Sequence, residues 1–328
     1  MKVNIIFPII DSPTGGGNQF LKILKKELIN QDIYTEAEKA DVVLFNSHQY
    51  IRETINAKLT YPDKLFVHRI DGSSRLYNKP SDRRDAITYT TNKHLADATI
   101  YQSEWSRRVN LEMGLQQNLY ETIITNATNN DLFNREGKIE FSTNRKIKII
   151  SSSWSSNINK GFETYQYLDD NLDFSKYEMT FVGNSPVKFK NIKMIEPKAS
   201  KELAQLLKQH DIYITASKKE SCSNSLIEAL ACGLPALCYN DGGHPETLKN
   251  CGYLFSEPHE ISELLEKVAD NYSTLQNAIK LKSIKEVAIE YVDFFEKVLA
   301  DSNKSRKQLT ISGRFKIETA LWKYQHLK

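Results

Sequence analysis

The 328-residue sequence predicts an α/β protein of two Rossmann-like domains with a cleft between them. Short apolar segments of strand length alternate with amphipathic helical segments, which is the pattern of parallel sheets covered by helices. An opening of strand, polar turn and helix at the N terminus recurs after residue 145. The length also exceeds what one hydrophobic core usually organises.

The first cycle begins with a strand at Lys2 to Pro8, breaks at Asp11 to Gly17, and enters a helix whose apolar positions Phe20, Leu21, Ile23, Leu24 and Leu28 follow helical spacing. Further strands are expected at Val42 to Phe45, Leu65 to Val67, Ala98 to Tyr101 and Thr122 to Thr125, and the polar stretch Asn134 to Arg145 reads as a linker. The second cycle runs from a strand at Lys146 to Ile150 through a turn at Ser151 to Gly161 into a helix from Phe162 to Leu168. A strand at Glu178 to Val182 ends in Gly183-Asn184, and an amphipathic helix covers Lys201 to Gln209. Asp211 to Ser217 and Pro235 to Tyr239 read as buried strands on either side of a loop and short helix. From Ile261 onward the pattern is mostly helical.

Composition narrows the function classes. Forty per cent hydrophobic and 26% charged residues describe an ordinary globular protein, and a net charge of +3 gives no reason to expect nucleic acid. No apolar run approaches the roughly 20 residues that span a bilayer, and the start reads as a strand rather than a signal peptide, so cytoplasmic residence is expected. The four cysteines, Cys222, Cys232, Cys238 and Cys251, form no Cys-x-x-Cys pair and read as reduced core residues. Seven lysines and arginines from Lys304 to Lys328 face one glutamate. That tail is either plain solvated charge or a surface drawn to an anionic membrane or a phosphorylated acceptor.

The segment Lys219 to Pro235 carries the most chemistry. Ser221, Ser223, Asn224 and Ser225 form a cap-rich start, and Leu226 to Cys232 reads as a helix stopped by Gly233 and Pro235. Glu220 then lies on the loop before the helix and Glu228, eight positions on, in its first turns. Backbone N–H groups between them, together with the helix dipole, suit an anion. The two carboxylates are therefore placed to grip hydroxyls at both ends of a ligand with phosphates in its middle, as in a nucleotide sugar. A second reading stands beside this one: with Ser225 as N-cap, Ser225 and Glu228 make a capping box, and Glu228 only ties down the helix start.

The block from Asp211 to Glu246, with Glu220, seven residues, Glu228, and then Gly242-Gly243 before Glu246, resembles the signature of retaining glycosyltransferases of the family-four type. The resemblance covers most of residues 146 to 256 and the first domain only thinly. It implies the GT-B fold, two Rossmann-like domains facing across a cleft, with domains at 1–140 and 146–293 and a helical segment at 294–328 crossing back to the first. By the same resemblance Glu220 contacts the donor sugar, Glu228 holds the ribose hydroxyls, and Ser221, Cys222, Ser223, Asn224 and Ser225 face the diphosphate.

Several other residues take roles from this resemblance. Gly15, Gly16 and Gly17 stand where the family has a glycine-rich loop lining the cleft; by themselves they are equally a flexible turn. Lys160, before Gly161, matches one of two cations that neutralise the leaving diphosphate; alone, it reads as surface lysine. The other cation, an arginine, is replaced by Ser153-Trp154-Ser155, with Arg69 and Lys218 as conceivable substitutes. His68 is a candidate for positioning the acceptor or steadying developing charge, with Arg69 and Asp71 on the acceptor side; otherwise Arg69 and Asp71 make a local ion pair. His48 is a weaker candidate of the same kind. Ile124 to Phe133 partly matches the stretch that closes the family's first domain. Gly183, Asn184 and Lys198 lie on loops that approach the donor. The Asp169-Asp170-Asn171-Leu172-Asp173 cluster reads as solvated loop, and no metal or other cofactor is expected, since amides and cations stabilise the leaving group.

The expected function is retaining transfer of a sugar from a nucleotide-diphosphate sugar to a glycan or lipid-linked acceptor, in bacterial surface polysaccharide synthesis, with possible peripheral contact at the inner membrane face. The alternatives are a sugar-nucleotide epimerase on the same fold and a catalytically weak nucleotide-sugar-binding protein.

Overall fold

The computed structural model describes residues 1–9, 16–301 and 306–327, which gather into two compact units. The first holds residues 1–9, 17–125 and the described residues from 284 onward; the second holds residue 16 and 126–283.

In the first unit the order is β1 (Val3–Ile6), α1 (Gly16–Asn30), β2 (Val42–Asn46), α2 (Ile51–Thr60), β3 (Leu65–Ile70), α3 (Ser74–Tyr77), α4 (Arg84–Leu95), β4 (Ala98–Tyr101), α5 (Glu104–Glu112) and β5 (Tyr120–Ile123). The five strands are parallel and lie in the order β1-β2-β3-β4-β5. β3 is central, and all six of its residues are buried, three further along the chain than the apolar run suggested. One core joins Val43, Phe45 and Phe66 to Ile51 and Ile55 of α2 and Ile87 of α4.

The second unit contains β6 (Ile147–Ser153), α6 (Phe162–Asn171), β7 (Tyr177–Gly183), β8 (Lys193–Ile195), α7 (Ser200–Lys208), β9 (Ile212–Thr215), α8 (Asn224–Ala231), β10 (Ala236–Tyr239), α9 (His244–Leu248), β11 (Gly252–Phe255), α10 (Ile261–Asp270) and α11 (Tyr272–Ala278). Its six parallel strands lie in the order β11-β10-β9-β6-β7-β8. Strand alternation divides the core: Ile149, Phe181, Ile212, Ile214 and Leu237 face one cluster, with Phe162, Tyr165 and Leu168 of α6 and Ile261 and Leu265 of α10. Ile150, Val182, Tyr213, Ala236 and Cys238 face the other, with Leu203 and Leu207 of α7 and Leu226 and Leu230 of α8. Both faces are covered, as an all-parallel sheet requires.

The chain then returns to the first unit as α12 (Ile284–Ala300) and α13 (Ile311–His326). Tyr291 of α12 meets Phe20 of α1 at 6.2 Å between ring centroids. Ile317 and Leu321 of α13 join the core of Phe45 and Phe66. Lys307 N–H donates to Asp97 Oδ1 at 2.6 Å and its ammonium to Asn118 Oδ1 at 2.6 Å, fastening the segment before α13. The return starts at Ile284 rather than at 294, because α12 is one unbroken helix.

Candidate active site

In the second sheet the chain steps from β6 to β7 and β8 on one side, then to β9, β10 and β11 on the other. The order reverses between β6 and β9, which pair through Ile149–Ile212 and Ile150–Tyr213. Ligands of open parallel sheets bind beyond the carboxyl ends of strands at such a reversal. At those ends lie Lys160 after β6, Gly183 closing β7 with Asn184 after it, Glu220 after β9, and Asp241 to Gly243 after β10, with His244 opening α9.

Glu220 and Lys160 form an ion pair, with side chains 18% and 17% exposed. Two glycines allow the loops to meet. Gly161 has φ +72°, and a Cβ there would stand 2.2 Å from the Ala216 carbonyl oxygen. Gly242 has φ +68°, and a Cβ there would stand 2.3 Å from the Glu220 carbonyl oxygen, which accepts from Gly243 N–H at 2.8 Å. Lys219 also adopts the left-handed region, at φ 59°, and its N–H donates to Asp241 Oδ2 at 3.1 Å. Its ammonium pairs with Asp241 at 3.2 Å, and that of Lys218 with Glu163 at 2.6 Å. Lys160 on the loop after β6, and Lys218 and Lys219 on the loop after β9, thus each pair with a carboxylate.

The start of α8 separates the two readings of Glu228. Ser223, not Ser225, is the N-cap: its hydroxyl accepts from Leu226 N–H at 3.4 Å. The capping-box partner of Ser223 would be Leu226, so Glu228 sits beyond that position and caps nothing. Its carboxyl has no hydrogen-bond partner among the described residues, and burial pushes its pKa up to about 8. A half-buried, desolvated acid without a partner suits hydroxyl groups that arrive with a ligand. Among its neighbours, Cys222 and Ser223 are buried, Ser221 is half-buried, Ser223 and Ser225 hydroxyls lie 3.2 Å apart, and Asn224 Oδ1 accepts from Asn126 at 2.8 Å.

His244 was not singled out by the sequence, although it directly follows the glycine pair. It is fully buried; Nδ1–H donates to the Tyr239 carbonyl at 3.0 Å, while Nε2 has no partner among the described residues. Burial lowers its pKa, partly offset by the Glu220 charge. A neutral ring with an open acceptor nitrogen therefore lies in the electrostatic neighbourhood of Glu220 and Lys160.

The first unit corrects several expectations. His68 is not a cleft residue: it has no exposed surface, stacks on Phe45 at 4.2 Å, donates from Nε2 to the Ser47 carbonyl at 2.9 Å, and lies 3.2 Å from Asn92 through Nδ1. Burial lowers its pKa to about 3. It lies within β3 because the strand continues to Ile70. Arg69 is equally enclosed, pairing with Asp71 at 2.8 Å and Asn46 at 2.6 Å, which makes it an internal ion pair and removes it as a substitute for the missing phosphate cation. Asp71 remains one-third exposed. Burial pushes its carboxyl up, but Arg69 and hydrogen bonds from Asn46 and Ser47 outweigh this and hold it below its ordinary value. Gly17, in the first turn of α1, has its missing Cβ 4.0 Å from Asp71 Oδ2. Gly16 begins that helix, and Gly15 lies outside the described residues. His48 is half-buried, edge-on to Tyr324 at 6.3 Å.

Elsewhere in the second unit, Asn184 donates to the Trp154 carbonyl at 2.7 Å, holding the ends of β6 and β7 together. Lys198 pairs with Glu202 at 3.7 Å, one helical turn on, and no contact among the described residues joins it to Lys160 or Glu220. Asp169 is not solvated loop: it is buried and accepts from the N–H groups of Lys190, Asn191 and Ile192 at 2.7–2.8 Å, anchoring the approach to β8. The four cysteines are all buried. Among the described residues no group of three or more His, Cys, Asp or Glu is placed to hold a metal ion.

Residues 188–285 match the family model described as glycosyl transferases group 1. Over 165 residues, 47% of this chain, the sequence is 28% identical to a probable sucrose-phosphate synthase of Thermosipho melanesiensis, and the match spans 38% of that protein. Among solved structures, the sucrose-phosphate synthase of Thermosynechococcus elongatus superposes with a TM-score of 0.68 at 14% identity, covering 92% of this chain and 99% of that one. Anabaena HepE, solved in complex with UDP-glucose, gives 0.63 at 13% identity, covering 91% and 98%. A glycosyltransferase from Rickettsia africae gives 0.62 at 14%, covering 92% and 98%.

Proposed function

We propose that this chain, which carries a glycosyl transferases group 1 region within a GT-B fold, is a retaining glycosyltransferase that uses a nucleoside-diphosphate sugar as donor. The observation that carries this reading is the arrangement at the strand reversal: Glu220, paired with Lys160, stands before α8, and the unpartnered carboxyl of Glu228 stands one turn inside it.

Glu228 takes the ribose hydroxyls, and Glu220 takes the transferred sugar. Lys160 moves from Glu220 to the diphosphate, assisted by the N-terminal dipole of α8. Lys218 is the remaining candidate for the missing cation: its N–H donates to the Asn159 carbonyl at 2.6 Å, so its loop runs beside that of Lys160. His244 accepts a hydroxyl of the donor sugar through Nε2. A front-face reaction lets the leaving phosphate take the acceptor proton, so no protein base is required and the enclosure of His68 is no obstacle. No metal is assigned. UDP-sugars are the first donors to test, because HepE, of similar fold, was solved with UDP-glucose. The acceptor is proposed to be a glycan or lipid-linked saccharide of surface polysaccharide synthesis.

Thermal shift against UDP-, GDP-, ADP-, TDP- and CMP-sugars, with and without EDTA, tests the reading. One nucleotide class should raise the melting temperature, equally in EDTA; no shift with any of them removes the donor site. Donor binding without transfer to any glycan or lipid-linked acceptor would leave a binding protein, and isomerised donor would indicate an epimerase.

A further inference from the structure

We propose that α13 is a membrane-docking helix that seats the first unit on a lipid surface bearing anionic headgroups. One face of α13 is buried by Gly313, Ile317 and Leu321. The opposite face leaves Ile311 91%, Phe315 69% and Trp322 53% exposed. These three are four and seven residues apart, so they form one apolar stripe on the solvent side of the helix. Large apolar side chains scattered singly on a surface need no explanation, but a row of them along one helix face does.

Cations flank the stripe. A groove of about 550 Å³ between α13 and α4 is lined by Arg83, Lys93, Lys316, Lys323 and the ring of Phe315, with no aspartate or glutamate among its lining residues. The carboxylate on the same helix, Glu318, pairs with Arg314 at 2.7 Å. On the other side of Phe315 a second groove, lined by Arg52, Ile55, Arg314, Glu318 and Trp322, carries the apolar surface toward α2. An apolar row with an aromatic ring near each end and basic side chains beside it matches the interface of a bilayer, where rings sit at headgroup level and lysines reach the phosphates. A polyanion without an apolar layer, such as nucleic acid, would satisfy the cations and leave Ile311, Phe315 and Trp322 in water. Among the described residues no helix is long and apolar enough to cross a membrane, so α13 lies on the surface.

The test uses the full chain and needs no knowledge of its substrate. Cosedimentation with vesicles of phosphatidylcholine mixed with phosphatidylglycerol is compared with phosphatidylcholine alone. Binding is expected only to the anionic vesicles, weakening with salt. Lys316→Gln and Lys323→Gln should each reduce it by about fivefold. Phe315→Ser with Trp322→Ser should abolish it while leaving the far-ultraviolet circular dichroism unchanged, since both side chains are exposed. Absence of binding to anionic vesicles, equal binding to both kinds, or binding by the Phe315→Ser, Trp322→Ser protein undiminished would each overturn the proposal.

Discussion

The ammonium of Lys160 and the carboxylate of Glu220, sixty residues apart in sequence, neutralise one another on adjoining loops at the carboxyl edge of the second sheet. Both side chains are more than four-fifths buried, so neither is well hydrated if its partner is taken away. A diphosphate that recruits Lys160 must therefore release Glu220 to another hydrogen-bond donor, and a sugar hydroxyl is the complementary group.

Replacing Lys160 should weaken nucleoside-diphosphate binding more than it weakens the fold. Lys160→Ala is expected to cost about tenfold or more in affinity, the scale of a lost hydrogen bond to a charged group. Lys160→Arg should retain most of it. Calorimetric titration of both variants with the donor nucleotide checks this; equal affinity in wild type and Lys160→Ala would remove the lysine from the site.

Glu228 gives donor binding a pH dependence. Its carboxyl, raised to about 8, is protonated at neutral pH in the unliganded protein. If ribose hydroxyls donate to its ionised form, binding releases a proton, and affinity should rise with pH until about 8 and then level. Glu228→Gln should flatten the profile. Titrations in buffers of different ionisation enthalpy would report the proton directly.

His68 sets a second demand on pH in the same direction, through stability. Its folded pKa of about 3 lies below the ordinary 6.5, so the unfolded chain binds the proton first and stability falls as pH drops through that window. The slope should be about 1.4 kcal/mol per pH unit. Urea unfolding measured from neutral pH down to about 4 should show it, and His68→Gln should remove that contribution. Transfer activity at neutral pH should survive the substitution if the protein remains folded, as expected for an enclosed side chain.

Gly242 is a steric requirement of the Glu220 loop. Gly242→Ala puts a Cβ on the Glu220 carbonyl and forces a left-handed backbone on alanine, at a cost of about 1–3 kcal/mol. Donor affinity should fall with it. A Gly242→Ala protein with unchanged melting temperature and donor affinity would show that the loop does not depend on this approach.

The α/β alternation and most strands of the second unit were legible because their apolar runs are short and bounded by polar turns. Several helices of the first unit were not. The inner face of α4 carries Thr88, Thr91 and Asn92, so it offers little apolar stripe to read. α8 starts two residues before the apolar run because Ser221, Ser223, Asn224 and Ser225 all favour N-caps, and tertiary geometry selects Ser223. His68 is not legible as a core residue because polar residues inside a central strand resemble a strand end. Asp169 owes its burial to N–H groups more than twenty residues away, and His244 owes its open nitrogen to tertiary enclosure. Glu220 and Glu228 were found by spacing; the partner of one and the isolation of the other were not.

The central claim is that Glu228 and Glu220 hold opposite ends of one nucleotide sugar. Calorimetric titration of wild type, Glu228→Gln and Glu220→Gln, each with the nucleoside diphosphate alone and with the complete sugar nucleotide, separates the ends. Glu228→Gln should lose affinity for both ligands, whereas Glu220→Gln, which frees Lys160, should bind the nucleoside diphosphate at least as well as wild type and lose the increment that the sugar adds. Equal losses for both ligands in both variants, or no loss in either, would contradict the clamp.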